Sequence, residues 1–228
     1  MIVWPSTVAA ARTIQEDLAR QVRIVPLDVT PRTVAGVDAA YRGGLTVAAA
    51  ALFDCITLEP LGEAHAEVAT TFPYVPGYLS FREGEAILAA IAGLPCPPDI
   101  ILADGQGIAH PRRFGIASFL GVLLQKPAIG CAKSRLVGEY REPGDERGAW
   151  SPLVDRGEMI GAVLRTRNGV RPVFVSPGHL ITLIEARDLV MRWTTRYRLP
   201  EPQRAADSLA CRLAAEVNAT ARQPYNFF

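Results

Sequence analysis

SFREGEAILAAIAGL (80–94), DIILAD (99–104), FGIASFLGVLLQ (114–125) and PAIGCA (127–132) follow one another along the chain, and their grammar sets the architecture. The first and third carry apolar residues at helical spacing. The second and fourth are short apolar runs bounded by proline, aspartate or glycine, the pattern of buried strands. Parallel neighbours need a long crossover connection, so this alternation of helix and strand implies parallel strands with crossover helices.

Upstream, TVAGVDAAY (33–41) reads as a strand, Arg42-Gly43-Gly44 as a turn, and LTVAAAALFDCITL (45–58) as the returning strand. A third extended segment lies near EAHAEVATTF (63–72), so the three make an antiparallel meander. FPYVPG (72–77) holds two prolines and a glycine and is a loop. Before the meander, Ser6 can cap a helix with apolar positions Val8, Ala11, Ile14, Leu18 and Val22. Downstream, residues 138–157 are rich in Gly, Pro and charge and read as a surface loop. GAVLRT (161–166) and VRPVFVS (170–176) flank Asn168-Gly169, a two-residue hairpin signal. TLIEARDLVMRWTTRY (182–197) and QRAADSLACRLAAEV (203–217) are closing helices, separated by Leu199-Pro200-Glu201-Pro202. The expectation is a single α/β domain over residues 1–228, with a mixed central sheet of three antiparallel strands followed by parallel strands, flanked by helices. That is the element order of the ribonuclease-H-like fold, and a fold alone does not fix function.

A chain of 228 residues fits one core, and 49% hydrophobic with 21% charged residues is the balance of a globular protein. No run approaches the ~20 apolar residues of a membrane span, and the N-terminal segment lacks the regions of a signal peptide. Cys55, Cys96, Cys131 and Cys211 are scattered and form no C-x-x-C pair, so they read as small core residues in a reducing compartment. A cytoplasmic, monomeric protein without membrane contact is expected. The net charge of +1 removes any whole-protein argument for a nucleic-acid partner, so such binding must be local. Of the 24 basic residues only Lys126 and Lys133 are lysines, which draws attention to a lysine beside a candidate site.

Three acids stand out. Asp38 interrupts an apolar strand, where a carboxylate is costly unless paired, hydrogen-bonded or bound to metal. Asp104 ends DIILAD, at the strand end where open α/β sheets place ligands. Glu83 falls in the first turn of the next helix upstream. Converging carboxylates repel and raise each other's pKa, and a hard divalent cation, Mg2+ or Mn2+, resolves the conflict. Two such ions can activate water and stabilise the leaving oxygen of a phosphodiester. Two of the acids have a plainer alternative: Ser80-Phe81-Arg82-Glu83 matches a capping box, and Asp104-Gly105 a turn, whereas a mid-strand aspartate such as Asp38 has no routine local job.

The motifs GVDAAY (36–41), PYVPGYLSFRE (73–83), DGQGIAHPRRFGIASFLG (104–121), IGCAKSRL (129–136), PVFVSPGH (172–179) and RLPEPQRAAD (198–207) together resemble the endonuclease V family, in order, over residues 30–210. The resemblance implies a ribonuclease-H-like fold and metal-binding carboxylates at Asp38, Glu83, Asp104 and Asp207, the last otherwise passing for an ordinary helical surface acid. It puts Lys133 beside the scissile phosphate or attacking water. Pro73, Tyr74, Val75 and Pro76 correspond to a wedge that enters the base stack. Gly77, Leu79, Gly105, Gly107, His110, Ile116 and Leu136 correspond to a pocket for the displaced base, although His110 could equally be a structural hydrogen-bonding group. Arg112, Arg113 and Arg135 are candidate phosphate ligands, unless they pair with surface acids. One departure is Gln106, where the family often has histidine.

The activity implied is Mg2+-dependent hydrolysis of the second phosphodiester 3′ to deoxyinosine in DNA, leaving 3′-hydroxyl and 5′-phosphate ends, with Mn2+ able to substitute. Cleavage of inosine-containing RNA and non-cleaving inosine binding are the alternatives.

Overall fold

The computed structural model describes residues 3–221. In chain order these form α1 (Val8–Ala19), the strands β1 (Thr33–Arg42), β2 (Leu45–Asp54) and β3 (Pro60–Ala69), then α2 (Leu79–Ala92). Next come β4 (Ile100–Ala103), α3 (Ile116–Leu124) and β5 (Ala128–Ala132). The strands β6 (Trp150–Asp155), β7 (Glu158–Leu164) and β8 (Val173–His179) and the helices α4 (Leu183–Trp193) and α5 (Glu201–Ala221) complete the order. The strands form one eight-stranded sheet, β3-β2-β1-β4-β5-β8-β7-β6. β1, β2 and β3 are antiparallel neighbours, and β4 and β5 lie parallel to β1, as the alternation of elements requires. This is the expected ribonuclease-H-like arrangement, extended by three antiparallel strands.

Alternation along β1 sorts the core into two layers. Ala35 and Val37 pack with α2 and α3 residues such as Phe81, Ile87 and Phe119, whereas Val34 packs with Val190 and Trp193 of α4 and Ala206 of α5. Helices α2 and α3 therefore cover one face, and α4 and α5 the other. The alanine run 48–51 of β2 is fully or almost fully buried. Side chains this small let helices approach the sheet closely on both sides.

An aromatic ladder ties the loop after β3 to α3. Phe72 and Phe81 lie 6.0 Å apart, Phe81 and Phe119 5.7 Å, and Phe119 and Phe114 6.3 Å. Pairs of this kind add about 0.5–1.5 kcal/mol beyond the area they bury. Phe72 opens the proline loop and Phe114 precedes α3, so the ladder fixes both sides of the site described below.

Several local expectations change. Thr7, not Ser6, caps α1, and Val22 lies past that helix's end. The 138–157 stretch is not all loop: it contains β6, and Glu139 bridges Val154. Burial alternates there at Ser151 and Leu153, and with one of the two polar and prolines and charges around them the period is hidden in the sequence. The Asn168-Gly169 turn exists, with Gly169 at φ 65°, but eight residues separate β7 from β8. The Asn168 side chain and the Gly169 amide bond instead to Arg147 and Asp145, which docks the turn on a neighbouring loop. Helix α5 starts inside the proline connector, because Pro202 in a first turn removes no helical hydrogen bond. Among the cysteines only Cys55 and Cys131 are buried; Cys96 and Cys211 are exposed, and all four are free.

Candidate active site

Asp38 sits in β1 with its side chain on the α5 face, and Oδ1 accepts from the Ala39 amide at 2.8 Å. Asp104 follows β4 directly; its amide donates to the Val37 carbonyl at 3.2 Å, which locks it beside β1. Asp207 comes from α5. Among the described residues these three form a carboxylate trio whose ligand atoms lie within 4.8 Å of one another. Lys133, just past β5, donates to Asp104 at 2.6 Å and to Asp207 at 2.9 Å.

Glu83 reaches the same region from the other helical layer. It is not a capping residue: α2 begins at Leu79 with no side-chain cap, Ser80 is buried inside the helix, and Glu83 lies in the second turn. Its Oε1 accepts from the Tyr41 hydroxyl. The trio and Glu83 thus approach the ends of β1 and β4 from opposite faces of the sheet.

The electrostatics follow from burial and crowding. Burial, then the charge of Asp104, pushes the Asp38 carboxyl well above the usual carboxylate range. Burial likewise pushes Glu83 up to about 7, against the Tyr41 hydrogen bond. For Asp207 burial works upward, but the Lys133 hydrogen bond wins and holds it low. Burial alone would lower Lys133, yet the two aspartates leave it raised. An all-oxygen set of crowded carboxylates suits a hard divalent cation, and supplying positive charge there removes the cost of ionising Asp38.

A stability prediction follows. Asp38 and Glu83 have raised pKa values in the folded chain, so their stabilising contribution is complete below the unfolded carboxylate pKa and is lost as pH rises through the folded values. In EDTA the melting temperature should fall from about pH 6 to about pH 8.5, and added Mg2+ should raise it more at the higher pH. Thermal melts across that range check both; a melting temperature that climbs with pH in EDTA would contradict the assignment. The depressed pKa of Asp207 acts only in the acid range and does not oppose this trend.

Beside the acids lies a cleft of about 350 Å3. One wall is Tyr74, Val75, Pro76, Gly77 and Leu79; the floor includes Gly105, Gln106, His110 and Ile116; the far wall runs from Lys133 to Leu136. Asp104 and Lys133 line it, so cleft and acid trio share a border. Tyr74 is 72% exposed at its mouth and Leu136 faces it from the other side, 47% exposed. Gly77, at φ 82°, keeps its carbonyl for the side chains of Gln15 and Arg112. Burial, then Arg112, lowers His110 to about 4, which keeps the ring neutral; Nδ1 accepts from the Arg112 amide.

Three expected site residues serve differently. Gly107 does not line the cleft; a Cβ there would lie 2.1 Å from the Pro177 carbonyl oxygen, so the residue allows backbone packing. Arg112 is taken up by Gln15, the Gly77 carbonyl and the Tyr78 ring, 4.2 Å away. Arg113 is paired with Asp155 at 2.8 Å and Glu158 at 2.7 Å. Only Arg135 of the three lines the cleft.

Other residues carry weight that sequence reading gave no role. Gln15 of α1 is fully buried and also donates to the Phe114 carbonyl, tying the proline loop to the segment that leads into α3; its signal was a polar residue four positions after buried Ala11. Gln106 donates to the Ser134 carbonyl at 3.1 Å and so sets the far wall. A second hollow of about 320 Å3 shares Lys133 and Arg135 with the cleft and adds Arg171 and Arg198. In a chain of net charge +1, this concentrates cations at one edge of the site.

The profile of the endonuclease V family matches residues 16–208, which span both the acids and the cleft. The chain belongs to the endonuclease V family. It is 58% identical over 206 residues to endonuclease V of Geotalea uraniireducens, covering 90% of this chain and 86% of the relative. The crystal structure of endonuclease V from Streptomyces avermitilis superposes with a TM-score of 0.90 at 45% identity, covering 94% of this chain and 96% of that one. Endonuclease V of Ciona intestinalis, solved in complex with DNA containing an inosine followed by a ribo-adenosine, gives a TM-score of 0.81 at 26% identity, over 92% and 98% of the two chains. Endonuclease V membership makes the chain a nuclease, a phosphodiester hydrolase, with the ribonuclease-H-like fold. No described helix is long and apolar enough to cross a membrane.

Proposed function

We propose that this chain cuts DNA beside deoxyinosine, hydrolysing the second phosphodiester 3′ to the lesion and leaving 3′-hydroxyl and 5′-phosphate ends. The observation that carries this reading is the shared border between the 350 Å3 cleft and the acid trio. A base seated in the cleft brings its own strand past Asp104 and Lys133.

The exposed ring of Tyr74, stiffened by Pro73 and Pro76, suits insertion into a base stack. Unstacking costs a few kcal/mol, least for a mispaired base, and deaminated adenine is mispaired. Ile116 and Leu136 offer the displaced ring apolar surface, and backbone groups of Gly105 offer hydrogen bonds to its edge, while His110 and the Gly77 carbonyl, held by Arg112 and Gln15, shape the cleft.

Asp38, Asp104, Asp207 and Glu83 are the residues that would hold Mg2+, with Mn2+ as a substitute. When bound, such an ion supplies an activated water and stabilises the leaving oxygen. Lys133 uses two N–H groups on Asp104 and Asp207 and retains a third donor for a phosphate oxygen. Arg135, with Arg171 and Arg198 in the adjoining hollow, suits the backbone on either side of the cut.

The test is a labelled duplex with one deoxyinosine, incubated with Mg2+ and with Mn2+. A nick one nucleotide beyond the lesion's own 3′ phosphate is expected, and adenine in its place should leave the strand intact. An uncut lesion strand at high enzyme concentration would sink the reading. The Ciona intestinalis complex holds a strand with a ribonucleotide after inosine, so the assay carries an inosine RNA arm. Faster cutting there would move the substrate assignment to RNA.

A further inference from the structure

Glu83 stands apart from the other three acids. It is absent from the trio, comes from the opposite helical layer, and is held by a hydroxyl from β1. That hydroxyl is itself well fixed. Tyr41 is three residues beyond Asp38, so strand alternation turns it to the α2 face while Asp38 faces α5. The Arg82 guanidinium lies over the Tyr41 ring, 4.4 Å from its centre, and Nη1 donates to the Phe72 carbonyl at 2.7 Å. Thr46 adds a bond to the Arg82 carbonyl at 3.4 Å. A continuous set of contacts therefore runs from the base of the proline loop, through Arg82 and Tyr41, to one Glu83 oxygen.

We propose that Tyr41 is a positioning residue for Glu83: by occupying Oε1 it fixes the carboxylate so that Oε2 is presented to the cation held by the trio. This rests on the metal-dependent reading above. The physical warrant is general. Ligating carboxylates are themselves hydrogen-bonded, and loss of such an outer partner typically costs 10–100-fold in metal affinity. A Glu side chain with three rotatable bonds, pinned at one oxygen, also loses less freedom when it ligates. Tyr41 touches neither substrate nor reacting atoms in this role.

The test reads Mn2+ binding, not turnover. Tyr41→Phe keeps the ring under Arg82 and removes only the hydroxyl. Mn2+ titration followed by electron paramagnetic resonance should show affinity weakened by about 10–100-fold. In a Glu83→Gln background the same change should alter affinity by less than about two-fold, because its route to the metal is gone. Affinity equal to or tighter than wild type in Tyr41→Phe would overturn the proposal, as would additive losses in the double variant. Should Tyr41→Phe melt early, the comparison within the Glu83→Gln pair still decides, since a folding defect would weaken binding in both backgrounds alike. A wild-type chain that binds no Mn2+ overturns the metal reading and this proposal together; normal wild-type binding with an indifferent Tyr41→Phe overturns this proposal alone.

Discussion

Asp38→Asn is expected to give a protein that melts later and cuts at least about a thousand-fold more slowly, a loss of about 4 kcal/mol of transition-state stabilisation. The two effects share one cause. Asp38 is mostly buried beside Asp104, so near neutral pH its ionised form is costly to the folded chain. Asparagine keeps the shape and the acceptor for the Ala39 amide, and carries no charge. In EDTA at about pH 8 the melting temperature should rise by about 2–4 °C for each kcal/mol relieved, the scaling for a chain of this size. Removing the same charge takes away a carboxylate of the proposed metal site, so Mg2+ should no longer stabilise the variant appreciably. Single-turnover cleavage and paired melts with and without Mg2+ measure both sides. Retained cutting, or a lowered melting point in EDTA, would show that Asp38 is an ordinary structural aspartate.

Gly36→Ala is expected to be the most damaging small change to the fold that also reaches the site. A Cβ on Gly36 would lie 2.0 Å from the Pro202 carbonyl oxygen and 2.2 Å from its carbon, both backbone atoms at the start of α5. Neither atom can turn aside, so the helix must move away. Overpacking commonly costs about 1–3 kcal/mol, and a clash with rigid backbone belongs at or above the upper end. Denaturant unfolding should show that loss. Movement of α5 also carries Asp207 away from Asp38 and Asp104, so the Mg2+ concentration needed for half-maximal stabilisation should rise. A variant that is destabilised with unchanged Mg2+ dependence would mean that α5 re-seats Asp207 independently of its first turn.

Most of the sheet was legible because β4 and β5 are short apolar runs with sharp ends, a Gly-Gly turn separates β1 from β2, and the 80–132 alternation leaves little freedom in direction. β6 was not legible: prolines, glycines and charges around Ser151 and Leu153 obscure the period, and the strand depends on pairing with β7. Asp38 was legible from its cost in an apolar strand. Asp207 was not, because nothing local distinguishes it from a surface helical acid; only packing of α5 against β1 brings it to the trio. Arg112 and Arg113 show the converse limit. Two adjacent arginines in a loop look alike in sequence, yet internal partners such as Gln15 and Asp155 take them up, and those partners lie far away in the chain. Glu83 fitted a capping box locally; the start of α2 at Leu79 removes that role, and the partner of its carboxylate, Tyr41, lies 42 residues upstream where no local pattern reaches.

The supply of acids from both helical layers also bears on how the enzyme comes into being. β1, the end of β4 and α2, which supply Asp38, Asp104 and Glu83, precede α5 in the order of synthesis, as do all the loops that line the cleft. A domain folds as a unit, and α5 is the layer that covers β1 on the Asp38 side. The acid trio therefore closes only after nearly the whole chain has been made, because Asp207 arrives with α5. On the function proposed above, completion of the fold and acquisition of the metal site would coincide.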